Sequence, residues 1–242
     1  MNKISDLAVV ETENIGNDVT IQEYTVIRNN VTIGDEVIIH PFVVIEENVE
    51  IGNGVEIFPG SYLGKVPKSV GVTAREINYE PWVRIGDGCA IGPNAIIYYQ
   101  VEIGSNTLIG DGVSLREQVS VGTKCLLGRY VTVNYNTTIG DHTKIMDLAH
   151  ITGNSKIGNN VFIGMLASTA NDNDLVSRKY REEYVVGPTI DDNATIGTAA
   201  VILGGVHIKE GGYVGANSGV TKDVSEYTLV VGSPAKPVRK IE

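Results

Sequence analysis

An aliphatic residue recurs at every sixth position along most of the chain, and this period constrains the fold more than any other feature. The runs extend over residues 15–63, 85–163 and 190–220, and every position in register is Ile, Leu or Val. An α-helix would show apolar spacing near 3.6 residues, and an ordinary strand a spacing of 2. A six-residue period with a second small or β-branched position predicts short strands joined by tight corners.

Three such strands complete one coil, so residues separated by three periods stack on each other. Coils joined by parallel hydrogen bonds lie about 4.8 Å apart and fill their centre with aliphatic side chains. Gly, Asn and Asp are frequent at the corners, where φ > 0 is favoured. Cys89 and Cys125 are the only cysteines, and both fall on the small inward position. We therefore expect them to be wall residues rather than metal ligands or redox partners.

The C-terminal segments "IGTAAVILGGVHIKEGGYVGANSGVTKDV" and "VVGSPAKPVRKI" resemble the hexapeptide-repeat acyltransferases. The resemblance covers nearly the whole chain and implies an all-β fold, a left-handed parallel β-helix; the handedness comes from the resemblance alone. We expect one domain, 1–242, with repeats at about 9–63, 85–168 and 190–225, inserted loops at 64–84 and 169–189, and a short C-terminal tail at 226–242.

The charge and hydropathy of the 242 residues narrow the range of partners. The formal net charge of -10 argues against a nucleic-acid or anionic-membrane surface, because Lys and Arg hold such partners. No apolar run approaches the roughly 18 residues that span a bilayer. The first residues also lack the pattern of a signal peptide. We expect a cytoplasmic protein with neither nucleic acid nor membrane as a partner.

Both insertions are polar, and insertions in a solenoid often mark its binding face. The first carries Lys65, Lys68, Arg75 and Arg84 with Tyr79 and Trp82, and the second includes Arg178, Lys179 and Arg181. A basic, aromatic loop on an acidic protein suits a nucleotide, because Arg and Lys pair with phosphate and aromatic rings stack on bases. The alternative is that both insertions are solvated surface loops with no binding role.

One corner of the predicted coil departs from the glycine pattern in four successive coils. The segments are "IYYQ", "LREQ", "VNYN" and "ITGN". They place Tyr98, Arg116, Asn134 and Thr152 in one column and Tyr99, Glu117, Tyr135 and Gly153 in the next. Solvated surface would tolerate such residues, but departures confined to one face favour a binding or catalytic site.

The family transfers an acyl group from a coenzyme A thioester, usually in a groove between the subunits of a trimer. Members that act on hydroxyls, including the lipid A acyltransferases, typically use a histidine base. The segment "AHITGNSKIG" resembles the lipid A sequence around that base. His150 matches its first histidine, but Gly153 stands where the catalytic second one would be, which counts against the lipid A reaction.

An amine needs less activation than a hydroxyl, because an amine with a pKa of about 8 is already partly neutral at physiological pH. The segments "LGKVPK", "PWVRIGDGCAIGPNAIIY", "LREQVSVG" and "STANDN" resemble bacterial N-acyltransferases of dTDP-linked 3- or 4-amino-dideoxy sugars. A carboxylate could hold the ammonium group and accept its proton, and Glu117 fits that role. Some relatives carry an acidic residue where Asn136 stands, which leaves Glu117 as the single candidate base.

The candidate site residues fall into three groups. The catalytic candidates are Glu117 and Asn136. The substrate-binding candidates are Tyr99, Arg116, Asn134, Tyr135, Asp147, His150, Asn171, Asp172, Asn173, Lys65, Lys68 and Arg84. The late coils and tail resemble the part of the family that borders coenzyme A, which implies cofactor contacts at Gly204, Ala216, Ser218, Lys236 and Arg239. No metal is expected, because the four histidines lack the spacing of the zinc site in γ-carbonic anhydrases.

These observations predict an N-acetyltransferase that moves an acetyl group from acetyl-CoA directly to the amine of a nucleotide-linked, dTDP-type amino sugar for surface-polysaccharide synthesis. The resemblance implies a homotrimer with sites between subunits. An O-acetyltransferase of a sugar and a non-catalytic scaffold remain alternatives, since a fold alone does not define a function. A scaffold would bind no coenzyme A.

Overall fold

The computed structural model describes residues 1–71, 75–173 and 184–241, and within them the chain forms thirty-three strands. Before the first insertion these are β1 (Lys3–Ile4), β2 (Val9–Val10), β3 (Thr20–Ile21), β4 (Val26–Ile27), β5 (Thr32–Ile33), β6 (Ile38–Ile39), β7 (Val44–Ile45), β8 (Val49–Ile51), β9 (Glu56–Ile57) and β10 (Tyr62–Lys65). Between the insertions they are β11 (Val83–Ile85), β12 (Ala90–Ile91), β13 (Ile96–Tyr98), β14 (Val101–Ile103), β15 (Leu108–Ile109), β16 (Ser114–Leu115), β17 (Ser120–Val121), β18 (Leu126–Leu127), β19 (Thr132–Val133), β20 (Thr138–Ile139), β21 (Lys144–Ile145), β22 (His150–Ile151), β23 (Lys156–Ile157), β24 (Phe162–Ile163) and β25 (Ser168–Thr169). After the second insertion they are β26 (Thr189–Ile190), β27 (Thr195–Ile196), β28 (Val201–Ile202), β29 (His207–Ile208), β30 (Tyr213–Val214), β31 (Gly219–Val220), β32 (Thr228–Val231) and β33 (Lys236–Lys240).

The strands form three sheets that wind into the predicted left-handed parallel β-helix. Sheet A has the order β1-β3-β6-β9-β12-β15-β18-β21-β24-β27-β30-β32-β33, sheet B the order β2-β4-β7-β10-β13-β16-β19-β22-β25-β28-β31, and sheet C the order β29-β26-β23-β20-β17-β14-β11-β8-β5. Ile97 pairs with Leu115, Leu115 with Val133 and Val133 with Ile151, so each residue lies beside its counterpart three periods later. The predicted stacking is therefore confirmed.

The strands that flank the two insertions shift the predicted boundaries slightly. β10 continues to Lys65 and β11 begins at Val83, so the first insertion covers 66–82; the second lies between β25 and β26 and covers 170–188. The tail is also structured, because β32 pairs in parallel with β30 and the antiparallel strand β33 closes sheet A.

The centre of the coil is filled by the six-residue series, as the period predicts. Ile97, Leu115, Val133 and Ile151 are fully buried, and the same holds along nearly the whole solenoid. Burial of aliphatic surface contributes about 25 cal/mol for each Å². Because every coil buries its aliphatic residues against the coils before and after it, the stack is stabilised mainly by contacts between neighbouring coils.

The second inward position supplies hydrogen bonds to the turn that joins sheet C to sheet A. In four successive coils a Cys or Thr side chain donates to a glycine carbonyl oxygen of the next coil: Cys89 to Gly104 at 3.2 Å, Thr107 to Gly122 at 2.9 Å, Cys125 to Gly140 at 3.1 Å and Thr143 to Gly158 at 2.8 Å. Burial raises the pKa of both thiols. The cysteines are wall residues, as expected, and not nucleophiles.

The turn between sheets C and A explains the glycine pattern. A Cβ on Gly104 would lie 2.6 Å from the carbonyl carbon of Gly122, so backbone packs directly on backbone. Beside this contact, Asp141 accepts the Thr123 amide at 2.7 Å through Oδ1. The glycine and the Asx residue of this turn therefore have structural roles.

We predict that Thr143→Val destabilises the protein although it adds an apolar residue to an apolar wall. The hydroxyl of Thr143 donates to the Gly158 carbonyl and accepts the Val161 amide at 3.1 Å. Valine leaves both backbone groups buried without a partner, which costs about 1–3 kcal/mol. At roughly 2–4 °C for each kcal/mol, thermal unfolding should show a lower Tm. Thr138→Val, on the exposed outer face, is the matched control; equal Tm values for the two variants would contradict the prediction.

Candidate active site

Both insertions leave the solenoid at the same edge, where sheet B turns into sheet C. We call this edge the B–C edge; its central part is formed by residues 98–100, 116–118, 134–136 and 152–154. The first insertion follows β10 and the second follows β25, and both strands belong to sheet B. Four strands of sheet B, β13, β16, β19 and β22, separate them. The four coils with unusual corner residues are therefore flanked on both sides by an insertion.

The first insertion is attached along this edge coil by coil. The Glu80 amide donates to Gln100 Oε1 at 2.9 Å, and in the next coil Gln118 Nε2 donates to the Asn78 carbonyl at 3.1 Å. Arg75 then reaches the following coils. From Arg75 to Glu80 the insertion therefore runs back from the coils of Tyr135 and Glu117 to the coil of Gln100, and it covers the column that contains Glu117.

Glu117 is fully buried beneath two guanidinium groups. Arg116 donates from Nε to Oε2 at 2.9 Å and from a terminal nitrogen to Oε1 at 3.2 Å, and Arg75 also donates to Oε1. Burial raises the pKa of Glu117, but the hydrogen bonds from Arg116 and Arg75 and the charge of Arg116 outweigh it, so the pKa lies below its usual value. The carboxylate is ionised at neutral pH.

The two tyrosines of the same column point away from Glu117. Tyr99 lies over Gly64 of the preceding coil of sheet B, where a Cβ would be 3.1 Å from the ring. Tyr135 lies over Gly153 of the following coil, where a Cβ would be 2.7 Å from the ring. The ring of Tyr135 therefore occupies the space that a side chain at position 153 would need. Between the two rings, the carboxylate of Glu117 is open to Arg75.

Tyr99 packs in the interior of the B–C edge, whereas Tyr135 forms part of its surface. Tyr99 is buried, its hydroxyl donates to the Glu47 carbonyl at 3.2 Å, and Tyr79 of the first insertion stacks on it with ring centroids 6.0 Å apart. Burial raises the pKa of Tyr99 to about 12. The half-buried Tyr135 ring has its centre 3.6 Å from the guanidinium carbon of Arg75. Tyr135 is the more accessible of the two predicted substrate contacts.

A polar cleft of about 190 Å³ opens beside Tyr135 and Arg75. It is lined mainly by polar atoms, from Arg75, Glu76, Asn78, Gln118, Tyr135, Asn136 and Asn154. Of the predicted catalytic pair, Asn136 lines this polar cleft and its Nδ2 donates to Asn154 Oδ1 at 2.8 Å. Glu117 is buried behind Arg75 and is not among the residues that line the cleft.

The start of the second insertion contacts Tyr135, which lines the polar cleft. Asn171 Nδ2 lies 3.2 Å from the Gly153 carbonyl oxygen and 3.4 Å from the Tyr135 hydroxyl. Asn173 exchanges two hydrogen bonds with the backbone of Gly204, at 2.8 and 3.1 Å, and Asp172 between them is exposed. These predicted residues connect the polar cleft with the late coils. The basic residues 178, 179 and 181, which we expected to contribute charge, lie outside the described residues.

A larger cleft of about 660 Å³ lies on the early coils of sheet B. We call it the basic cleft; it is lined by Gly60, Tyr62, Lys65, Val66, Lys68, Asn94 and Ile96. Lys65 Nζ donates to the Tyr98 hydroxyl at 2.9 Å, and the guanidinium carbon of Arg116 lies 5.0 Å from the centre of the same ring. Lys65, Tyr98 and Arg116 therefore link the basic cleft to the B–C edge. The half-buried Asn134 follows Arg116 in the column.

Three predicted substrate contacts lie on other faces of the coil. Arg84 is on sheet C, 3.5 Å from Glu50. Asp147 lies at the opposite edge of sheet B, where Oδ2 accepts two hydrogen bonds from the Arg129 guanidinium at 2.9 and 2.6 Å. His150 lies on the outer face of sheet B, with Nδ1 2.7 Å from Thr132 Oγ1. Burial lowers the pKa of His150 and favours its neutral form.

The predicted coenzyme A contacts lie among the last coils, near the ends of sheets A and B. A C-terminal cleft of about 430 Å³ is lined there by Ala199, Val201, Leu203, Asn217, Ser218, Gly219, Val220, Thr221 and Ser233. Ser218 lines it, although its side chain is buried and accepts the Gly232 amide at 3.1 Å. Gly204 follows the lining residue Leu203 in the chain, and Ala216 precedes the lining residue Asn217. Lys236 and Arg239 are exposed on β33.

The sequence identified Arg75 only as part of the basic first insertion, and it did not single out Asn78, Gln118 and Asn154. Asn154 and Gln118 could have been found from the register, because each lies one full coil away from Asn136. Arg75 and Asn78 could not, because the insertion has no period that would assign them to a coil.

Among residues 1–71, 75–173 and 184–241, no group of three His, Cys, Asp or Glu side chains is placed to hold a metal ion. The described part of the chain also contains no helix long and apolar enough to span a membrane.

Comparison with known proteins identifies the family to which the repeats belong. Bacterial transferase hexapeptide repeats match residues 14–47, 30–65, 83–117 and 136–167. The chain belongs to the bacterial transferase hexapeptide family. Segments of it resemble an acetyltransferase of Schizosaccharomyces pombe, 43% identical over 86 residues (34% of this chain and 42% of the relative), and an acetyltransferase of Staphylococcus aureus, 47% identical over 57 residues (23% and 29%). The chain thus spans less than half the length of these curated relatives.

The fold of this hexapeptide-repeat protein also has solved counterparts. The structure of a UDP-N-acetylglucosamine acyltransferase from Arabidopsis aligns with a TM-score of 0.60 over 98% of this chain and 74% of that one, at 19% identity. Identity at this level shows a shared β-helix and leaves the substrate of the hexapeptide-repeat protein to be argued from its own residues.

Proposed function

We propose that this protein is an acetyl-CoA-dependent N-acetyltransferase that acts on the amine of a nucleotide-linked sugar, with a dTDP-linked 3- or 4-amino-dideoxy sugar as the expected substrate. The observation that carries the proposal is the ionised carboxylate of Glu117 at the one edge that both insertions flank. A carboxylate attracts an ammonium group, whereas a hydroxyl acceptor would need a base of higher pKa.

The distribution of histidines supports an amine rather than a hydroxyl acceptor. The structure describes all four, and His40, His142, His150 and His207 all lie away from the B–C edge. Gly153, which replaces a catalytic histidine of the lipid A enzymes, has no space for an imidazole while Tyr135 covers it. Acyl transfer at this edge therefore relies on Glu117, Asn136 and the amine itself.

The nucleotide part of the acceptor is assigned to the basic cleft. Lys65 and Lys68 bring positive charge to an otherwise acidic protein, and Arg116 adds a guanidinium where the cleft meets the B–C edge. Arginine and lysine are the usual partners of phosphate oxygens. A diphosphate held by these residues would place its sugar toward Glu117 and the polar cleft.

Acetyl-CoA is assigned to the C-terminal cleft, with Gly204, Ala216 and Ser218 toward the pantetheine and Lys236 and Arg239 toward the phosphates. The amine nitrogen attacks the thioester carbon, the carbon–sulfur bond breaks, and an amide and the free thiol form. Glu117 holds the ammonium, which loses one proton to solvent before the neutral amine attacks. As the amide forms, Glu117 relays the second proton from the nitrogen to the departing thiolate. The lowered pKa of Glu117 suits holding and relaying better than storing a proton.

A homotrimer with sites between subunits is the proposed assembly. An apolar column supports it: Tyr130, Leu148 and Leu166 stack at the edge between sheets A and B and are 61%, 52% and 53% exposed. These positions have positive φ, where Asn or Gly is usual, so their apolar side chains suggest a covered surface. His150 and Thr132 on sheet B would then face a partner.

The experiment that tests the proposed function is free-thiol release from acetyl-CoA in the presence of dTDP- and UDP-linked amino sugars, with the corresponding hydroxyl sugars in parallel. We expect release only with amino sugars and strongest with a dTDP-linked one. Release with hydroxyl sugars would assign the protein to O-acetyltransferases. No release and no binding of coenzyme A would favour a scaffold.

Glu117→Gln should lower kcat more than it weakens coenzyme A binding, because the amide keeps the shape of the carboxylate but cannot hold an ammonium or relay a proton. A loss of about 10²–10⁴-fold in kcat is typical for a proton-transfer group. Steady-state kinetics and calorimetric titration with coenzyme A measure the two effects. Unchanged kcat, or equal losses in both, would contradict this role.

A further inference from the structure

The most unusual interaction of the molecule is the buried contact of Arg75 with both Glu117 and Tyr135. Its guanidinium donates to Glu117 Oε1 and lies 3.6 Å from the centre of the Tyr135 ring. The Arg75 side chain is 13% exposed and Glu117 beneath it is fully buried. A carboxylate below and an aromatic face beside a cation form a recognition site for an organic cation.

The Glu117 carboxylate is already paired without Arg75. Arg116, the adjacent residue of the same corner, binds both carboxylate oxygens, at 2.9 and 3.2 Å. A carboxylate accepts about four hydrogen bonds. Two guanidinium groups on one carboxylate leave the cluster with an excess positive charge, so the fold needs only one of them to neutralise Glu117. Arg75 is the one that comes from the insertion rather than from the solenoid.

The Arg75 guanidinium also has an adjacent space into which it can move when another cation takes its place. Arg75 lines the polar cleft of about 190 Å³ together with Tyr135 and Asn136. A rotation of its side chain toward that cleft would expose Glu117 Oε1 and the face of Tyr135 without any change in the coils. The space that it leaves is bounded by a carboxylate, a ring and amide side chains.

We infer that Arg75 is an internal occupant of an ammonium-binding site formed by Glu117 and Tyr135, and that a ligand's ammonium group replaces its guanidinium. The ligand class is a primary ammonium ion attached to a polar carbon skeleton. That this ammonium belongs to the acetyl acceptor rests on the proposed function. The cation site itself does not, because it requires only binding.

The test is thermal unfolding of Arg75→Ala with methylammonium chloride as the probe, at constant ionic strength set with sodium chloride. A ligand that binds only the folded state stabilises it in proportion to ln(1 + [L]/Kd). At a tenfold excess over Kd this should raise the Tm of Arg75→Ala by about 3–5 °C, and above Kd the rise should follow the logarithm of the methylammonium concentration. The wild-type protein should show a rise only at much higher concentrations, because methylammonium lacks the other contacts of a full ligand and must first displace Arg75.

Three further variants decide whether the cation binds at this place. Arg75→Ala/Glu117→Gln should lose the response, and Arg75→Lys should behave like the wild type because it supplies its own ammonium group. Arg129→Ala is the matched control, since it removes an arginine from an exposed carboxylate pair beside Tyr130 on the same coils. Arg75→Gln replaces Arg75→Ala if the latter does not fold.

A rise that follows the logarithm of the methylammonium concentration, and that over the range tested is confined to Arg75→Ala or Arg75→Gln, supports the inference. The same response in wild type, or a response that persists when Glu117 is changed, would overturn it. Since no acyl donor is present, this experiment can succeed while the thiol-release panel remains negative, and it can fail while that panel succeeds. The two proposals are therefore separable.

Discussion

The parallel stacking of each coil on the next, in one fixed register, governs everything else in this structure. Each coil presents its backbone to the next, so a residue's neighbours above and below are fixed by its position in the six-residue period. At the turn between sheets C and A, this closeness leaves no room for a Cβ on Gly104. A site on such a scaffold is therefore built as a column, and any bulky residue in it needs space from an adjacent coil.

The B–C edge meets this requirement by pairing large residues with glycine. Tyr99 takes the space over Gly64 and Tyr135 the space over Gly153, so the column opens around Glu117 instead of closing. The first insertion then adds a cation, Arg75, that the repeat itself does not supply. The chemistry of the site depends on this combination of a rigid column and an added segment.

The register allowed much of this arrangement to be predicted from the sequence. Tyr99, Glu117, Tyr135 and Gly153 were placed in one column because each follows the one before it by a full coil, and the structure stacks them. The directions of the rings were beyond the sequence, since the period fixes Cα positions and not rotamers. Arg75 could be recognised as a charge but not located, because the insertion has no repeat. Asp147, His150 and Arg84 lie on other faces because their phase within the coil differs from that of Glu117.

The most direct measurement of the central claim, that the acetyl acceptor binds at the B–C edge, is a crystal structure of the protein with coenzyme A and a dTDP-linked amino sugar. The account predicts the sugar nitrogen within hydrogen-bond distance of Glu117, the Arg75 guanidinium displaced from that carboxylate, and the diphosphate beside Lys65 and Arg116. A sugar bound against His150 on the face of sheet B, with Arg75 still on Glu117, would contradict it.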